Sequence, residues 1–507
     1  MPSHEITRNP TRLIHAAHPP LAGFPSRWAL GPMDYYLGPG IPIVVVFVYE
    51  AGQGGEEAGS VVPVHRLEKA MRYLLDSHPH FTGRFIAEAG EAKEPCIAQL
   101  GSGAALIEAN SSARLDSFVR PEGGDYITTS FPPDLVPPYE PTAEYLAHNP
   151  FFAVQHTRFS CGGVALAIRM AHAVVDGEGF FSVVRDLATV YRQLSAGVEK
   201  PQLDHAPSIR PYMADWASGA SEEEREEARS WKSRGYKLAG EDWKEGSNGV
   251  TQSTPVIESD SPPPDPDPVQ GRVLRFSPTQ LASLKQAALP HTHTEGQYIT
   301  TFDALFAHLL QLTYRARSSP HRNPAAQPTI CNFLTPSSWR ARLGLPAHHT
   351  PNTCFVNFAS LDPQEVLQGP VDRIATAVHS VSRGLSLGDA QAELRWLCAQ
   401  RDKGRVQLAY EYGEGSLMLS AWHRMDVYAA GTLDDALVPA VVSTPFTSVS
   451  LVDGLGYFLP VPPKVGKQGE GAGIDVALAL KGSVWREIDR ALGKKGEEGK
   501  RSFTYVG

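Results

Sequence analysis

The stretch Phe159-Ser-Cys-Gly-Gly-Val-Ala-Leu-Ala-Ile-Arg-Met-Ala-His-Ala-Val-Val-Asp-Gly-Glu-Gly-Phe-Phe181 decides how this chain is read. Its run from Val164 to Ala171 is short, glycine-led and almost wholly apolar, as in a strand buried on both faces. From Phe180 onward, apolar residues recur at 180, 181, 184, 187, 188 and 191, one face of a helix. Between them lies His172-Ala-Val-Val-Asp176-Gly177, so a histidine closes the strand and an Asp-Gly pair turns the chain into the helix. Gly177 and Gly179 suit a tight backbone path there. An imidazole so placed, with an ordinary pKa of about 6.5, can take a proton from a hydroxyl or amine near neutral pH. Asp176 can hold the turn, and the ring indirectly, if it finds a basic partner. Taken alone, His-x-x-x-Asp-Gly also describes a core histidine before a turn, so its weight comes from the rest of the chain.

A chain of 507 residues exceeds one ordinary core, and two domains of about 200–250 residues are expected. The composition, 42% hydrophobic and 20% charged, is that of a soluble globular protein. A net charge of −9 without an offsetting basic cluster argues against a nucleic-acid partner. The five cysteines are scattered and never spaced as Cys-x-x-Cys, so neither disulfides nor structural zinc is expected. The longest greasy run, Ile41 to Tyr49, falls far short of the roughly 20 residues of a membrane span, and the N-terminus lacks a signal design. A reduced, cytoplasmic protein without a membrane partner is the expectation.

Along the chain, Leu30-Gly-Pro-Met-Asp makes a turn that feeds a valine-rich strand at Ile41–Tyr49. A glycine-rich loop at 51–60 precedes a helix over Val64–Leu75, and a hairpin-like region runs from His78 to about 108. Proline-rich loops at 131–142 lead to a strand at Phe151–Arg158. From about 198 to 270 the composition shifts to that of a connector, with a helix opened by a capping box of Ser221 and Glu224. Beyond it, Arg272–Phe276 reads as a strand, Ser277-Pro278 as a helix start, and Tyr298–Leu310 as an apolar helix. Thr329–Leu334, Asn352–Phe358, Met425–Ala429 and Ile474–Leu480 read as strands. Strands alternating with helices in both halves indicate α/β domains.

In order, these blocks resemble the BAHD acyltransferases, and within them the fungal trichothecene 3-O-acetyltransferase-like branch. The resemblance spans roughly 28–490. Leu30-Gly-Pro-Met-Asp is similar to the family's opening turn and Phe81-Thr-Gly-Arg-Phe to its "aGRl" strand. Phe159 through Gly177 resembles the block ending in His-x-x-x-Asp-Gly. Thr300-Thr-Phe-Asp-Ala-Leu resembles the helix near the cofactor, and Asn352-Thr-Cys-Phe-Val-Asn the "yfGN" strand. The second signature, Asp-Phe-Gly-Trp-Gly, is altered here to Val452-Asp453-Gly454-Leu455-Gly456. In the family that aspartate reaches an arginine of the sheet, for which Arg340 or Arg342 would be the counterpart, with Asp453 as a substitute from one position later.

The resemblance implies two similar mixed-sheet domains of the chloramphenicol acetyltransferase/BAHD type, joined by a crossover loop around a central solvent channel. They are placed at 1–205 and 271–507, with the linker at 206–270. It implies acyl-CoA as co-substrate, a small-molecule acceptor, no metal and a monomer. His172 would be the general base, with Asp176 orienting, its carboxylate turned away from the channel, and Gly177 in the turn. Thr300, Thr301, Gly454 and Gly456 are the cofactor-side candidates, although Thr300 or Thr301 could instead cap the helix. Met33, Tyr35, Tyr36, Phe180, Phe355 and Asn357 stand beside the matched blocks as pocket candidates, or equally as core fillers. For the oxyanion, hydroxyls crowd the segment before Gly454, with Ser443, Thr444 and Ser448 the foremost candidates.

Two other readings compete. Gly384-Leu-Ser386-Leu-Gly388 has the spacing of a hydrolase elbow, but the helical periodicity of Val371–Val381 stands where the elbow needs a strand. The same architecture also serves carrier-protein-bound acyl donors in condensation, cyclisation or release, and the altered second signature would fit such a donor. His291-Thr-His293, His78-Pro-His80 and His348-His349 lack further ligands at metal spacing.

Overall fold

Val164–Ala171 forms a strand in which every residue is buried, flanked on both sides by antiparallel neighbours, Phe152–Phe159 and Pro42–Tyr49. The computed structural model in which it lies describes residues 6–19, 24–34, 41–52, 61–89, 94–118, 131–239, 265–290, 298–322, 328, 330–434, 437–462, 473–492 and 503–506. The sheet runs in the order Ile6–Arg8, Ala104–Ser111, Phe152–Phe159, Val164–Ala171, Pro42–Tyr49, Val441–Ser443, with Arg12–Ile14 also on Ala104–Ser111. Helices Val64–Ser77 and Gly177–Ser195 pack together in the core of this half. The second helix buries Phe180, Phe181, Val184, Leu187 and Tyr191. Each such side chain contributes about 1.5–3 kcal/mol, against about 1 kcal/mol lost at each helical glycine, so packing decides that this segment is helical.

A second seven-stranded sheet runs Cys354–Ser360, Asn332–Ser338, Ser416–Ala421, Leu455–Pro460, Ile474–Lys481, Val269–Phe276, Thr504–Tyr505. Helix Thr301–Arg317 shares its core and packs against Pro278–Ala287, Val371–Arg383 and Gly482–Ala491. The described part of the connector holds helices Ala214–Gly219 and Glu222–Ser230, the latter opened by the expected Ser221–Glu224 capping box. Its strand Tyr236–Leu238 pairs with Val406–Leu408 of the second half. Residues 240–264, and 53–60 of the glycine-rich loop, lie outside the described residues.

The two halves interleave. Val441–Ser443 leaves the second half and pairs antiparallel with Pro42–Tyr49, while Leu433, Leu437 and Val442 join the first core. Two other expectations are corrected. Met425–Ala429 is no strand: Asp426 is left-handed and Val427–Ala430 forms a short helix, whose Val427 and Ala430 pack into the first half's core against helix Gly177–Ser195. The region from His78 to 108 is not one hairpin. Arg84–Ala89 and Glu94–Ala98 pair in a small sheet with Trp28–Ala29, whereas Ala104–Ser111 joins the large sheet parallel to Phe152–Phe159.

The interleaving carries a buried bond, Tyr49 Oη donating to the Gly431 carbonyl at 2.6 Å. Tyr49→Phe leaves that carbonyl without its donor and is expected to cost about 1–3 kcal/mol in a denaturant melt. An unchanged midpoint would show that the bond contributes nothing.

Candidate active site

His172 ends the central strand with its amide still bonded across the sheet, to the Ile41 carbonyl at 2.9 Å. The chain turns at once, Val174 N–H returning to the Ala171 carbonyl at 3.0 Å. Asp176 then caps helix Gly177–Ser195, its Oδ1 accepting from the Gly179 amide at 2.9 Å. The same carboxylate accepts a two-pronged contact from Arg340 of the second half, Nη2 to Oδ1 at 2.7 Å and Nη1 to Oδ2 at 3.0 Å. The Thr353 amide adds a further bond at 2.9 Å. Burial alone would raise the Asp176 carboxyl, but the Arg340 charge and these donors outweigh it and hold it below the usual carboxylate range. Gly179 is required by proximity: a Cβ there would stand 2.1 Å from the Thr350 carbonyl oxygen. Asp176 therefore works between the halves, with its carboxylate engaged by Arg340.

A cavity of about 490 Å³ opens beside this turn, a size that suits a small organic ligand. His172 and Gly177 line it from the first half, with Ile41, Ile43 and Val44. Leu334, Val356, Met418, Trp422 and Tyr457 face it from the second. The His172 Nδ1 is buried without a hydrogen-bond partner among the described residues, which leaves Nε2 as the nitrogen a substrate can reach. Burial lowers the His172 pKa from its ordinary value, and Asp176 among other neighbours draws it only part of the way back. The ring is therefore neutral at pH 7 and able to accept a proton.

Of the hydroxyl candidates, Thr444 lines the cavity, and its buried Oγ1 has no partner among the described residues. Ser443 instead sits in the strand opposite Val46, and Ser448 is exposed in a turn, so neither faces the cavity. Thr300 takes the capping role on helix Thr301–Arg317, its hydroxyl bonded to Asp303 Oδ2 at 2.7 Å, and also borders the cavity. Thr301, inside the first turn, does not line the cavity.

The altered second signature is built differently from the expectation. Asp453 pairs with Arg317 at 3.0 Å and accepts the Lys481 amide at 2.9 Å. Arg340 is committed to Asp176, and Arg342 lies over the Trp339 ring. Gly454 has φ +88, and a Cβ on it would meet the Ser416 carbonyl at 2.3 Å. Gly456 is wedged between strands, where a Cβ would meet the Ala477 carbonyl and Leu419 at 2.8 Å. Both glycines are demanded by packing, and it is their neighbours Val452 and Leu455 that reach the cavity.

The pocket candidates are corrected too. Met33 and Phe355 fill a separate core with Trp339 and Trp396, and Phe180 packs edge-on against Phe181. Asn357 is buried and donates to Ser337 Oγ at 2.8 Å. None lines the cavity, because the apolar faces they occupy belong to cores formed by other elements. Tyr35 and Tyr36 lie outside the described residues. The residues missed, such as Trp422 and Tyr457, carry no motif. Ser386 caps helix Leu387–Ala399 and follows helix Val371–Arg383, so no hydrolase elbow exists there.

Residues 5–431 match the model of the Transferase family. Hydroxycinnamoyltransferase 2 of Oryza sativa subsp. japonica is 24% identical over 395 residues, 76% of this chain and 79% of the relative. Hydroxycinnamoyl-CoA:piscidic acid hydroxycinnamoyltransferase of Actaea racemosa is 26% identical over 287 residues, 53% of this chain. The match spans 52% of that relative, about half its length. Among solved structures, F. sporotrichioides TRI101 complexed with coenzyme A and T-2 has a TM-score of 0.66 at 18% identity, covering 95% of this chain and 100% of its own. Vinorine synthase has a TM-score of 0.62 at 13% identity, covering 95% and 96%. These structures share the two-domain fold.

Asp176→Asn removes the buried, two-pronged partner of Arg340 and leaves it only the half-exposed Glu178 carboxylate at 3.3 Å, and is expected to cost about 3–5 kcal/mol of stability, read by denaturant melting. The folded carboxyl titrates below its unfolded value, so this contribution is present above about pH 4 and is lost as the pH falls through the depressed pKa. If wild type and variant melt alike at pH 7, the ion pair is not what joins the halves.

Proposed function

We propose, because this chain belongs to the Transferase family, the BAHD acyltransferases, that it moves an acyl group from acyl-CoA to a hydroxyl of a specialised metabolite. Acetyl is the default acyl group. The observation that carries this reading is a neutral, recessed imidazole facing a largely apolar cavity shared by both halves. Coenzyme A in the TRI101 complex supports the donor, and the hydroxycinnamoyl-CoA in the name of the Actaea relative agrees with it.

In this reading the acceptor hydroxyl gives its proton to His172 Nε2 as its oxygen bonds to the thioester carbonyl carbon. The carbonyl oxygen becomes an oxyanion, and its candidate donor is Thr444, which lines the cavity and whose Oγ1–H has no partner among the described residues. The adduct then collapses, the C–S bond breaks, and His172 returns the proton to the departing thiolate. Ester and free CoA thiol are the products, and no covalent enzyme intermediate is needed. Asp176 and Gly177 act through geometry, fixing the turn that presents the ring. A carrier-bound donor was motivated by the altered loop, but Asp453 and Arg317 give that loop a fixed shape without an aspartate at 452. We place the enzyme in the cytoplasm; among the described residues no helix is long and apolar enough to cross a membrane.

Incubation with acyl-CoA and candidate alcohols, with free thiol detected, tests the reaction. His172→Ala should lower kcat by about 10²–10⁴-fold with an intact melting curve. The wild-type kcat/KM should rise with pH with its midpoint below the ordinary histidine value of about 6.5, because burial keeps the base form available in mild acid. Near-wild-type turnover in the variant would remove His172 from the chemistry. Thr444→Ala should lower kcat by about 10²–10³-fold and Thr444→Ser should restore most of it; equal rates in all three would remove the oxyanion assignment.

A further inference from the structure

Asn352 is a residue of the second half that reaches the main chain of the base. Its Nδ2 donates to the His172 carbonyl at 2.9 Å and also to Asp34 Oδ1 in a buried contact. The His172 carbonyl can only accept, so the amide has one orientation, with Nδ2 toward that carbonyl and Asp34 and Oδ1 away. Asp34 is fixed in turn, its Oδ2 accepting the Gly31 amide at 2.6 Å and its own amide returning to the Gly31 carbonyl at 3.0 Å. A turn near the start of the chain thus sets the side chain of Asn352, which sets the carbonyl of His172.

Two buried polar atoms on the two residues this bond joins make no hydrogen bond of good geometry among the described residues, although the main chain of His172 itself and of Val175 also acts on the ring. One is the acceptor Asn352 Oδ1, and the other is His172 Nδ1. A buried polar atom left unsatisfied is costly, and each of these supplies what the other lacks when Nδ1 carries the ring proton. Such a pairing selects the tautomer whose Nε2 lone pair is free toward the cavity. Asp176 cannot fill this role, because Arg340, Thr353 and Gly179 already occupy its carboxylate.

We propose that Asn352, held by Asp34, is the positioning residue of the base: Nδ2 pins the His172 carbonyl and Oδ1 receives the Nδ1 proton, so that Nε2 faces the substrate. The proposal rests on the acyl-transfer reading only in taking His172 as the base. The titratable groups around this cluster are Asp34, Asp176, Arg340 and its second partner Glu178, with Cys354 and His349 beside that ion pair. Burial pushes Asp34 up to about 7, and the Asn352 amide is among the groups that draw His172 back up against burial.

The test combines kinetics with a readout that needs no turnover: the pH dependence of His172 carbethoxylation by diethyl pyrocarbonate, followed by peptide mass spectrometry. Asn352→Ala is expected to lower kcat by about 10–100-fold with KM changed little. It should move the His172 midpoint down by about half to one pH unit, the equivalent of one hydrogen bond. Asn352→Asp keeps the shape, places a carboxylate beside the ring, and should move the midpoint up. Asp34→Ala should lower kcat in the same way, and the double variant Asp34→Ala with Asn352→Ala should lose no more than either alone. A midpoint unmoved in both Asn352 variants, or losses that multiply in the double variant, would overturn the proposal. If the wild type transfers no acyl group, the functional reading fails, while the carbethoxylation midpoints still decide the role of Asn352.

Discussion

The Asp176–Arg340 ion pair is the contact on which the rest of the site depends. It is buried, carried on opposite halves of the chain, and reinforced by two backbone amides. A buried pair of this kind is weak as a source of net stability, since desolvation consumes most of its Coulomb attraction. Its value lies in specification: two charges that cannot be left unpaired admit one relative placement of the loop after His172 and the segment around residues 340–353. The helix cap, the turn at Gly177 and the approach of Gly179 to Thr350 follow from that placement.

With the halves so registered, each supplies what the other lacks. The first provides the imidazole at the end of a fully buried strand. The second provides the Asn352 amide, the apolar wall of Leu334, Met418 and Tyr457, and the segment bearing Thr444. Val441–Ser443 enters the first sheet as an edge strand, and Thr444 follows directly, so strand pairing brings this hydroxyl to the cavity that His172 lines. In the proposed reaction the proton acceptor, His172, comes from the first half and the candidate donor to the oxyanion, Thr444, from the second.

The electrostatics have a common cause in burial. Desolvation lowers His172 and raises Asp34, while the full charge of Arg340 reverses the same tendency at Asp176. The outcome is a neutral imidazole at His172, a carboxyl at Asp34 pushed up to about 7, and an ionised carboxylate at Asp176.

Much of this was legible in the sequence because it follows from local patterns. The apolar run of Val164–Ala171, the helical spacing after Phe180, the Ser221 and Ser277 caps and the His-x-x-x-Asp-Gly turn each depend on neighbours within a few positions. What the pattern could not assign was partnership. Arg340 belongs to Asp176 and Arg317 to Asp453, 164 and 136 positions apart, and nothing local distinguishes these arginines. Likewise Met33, Phe180 and Phe355 look like pocket aromatics or hydrophobes in sequence but fill cores, whereas Ile41, Trp422 and Tyr457 look like core and line the cavity. An apolar side chain has the same preference for leaving water in either place. Only the closing of two sheets upon each other determines which apolar faces meet protein and which are left to meet a ligand.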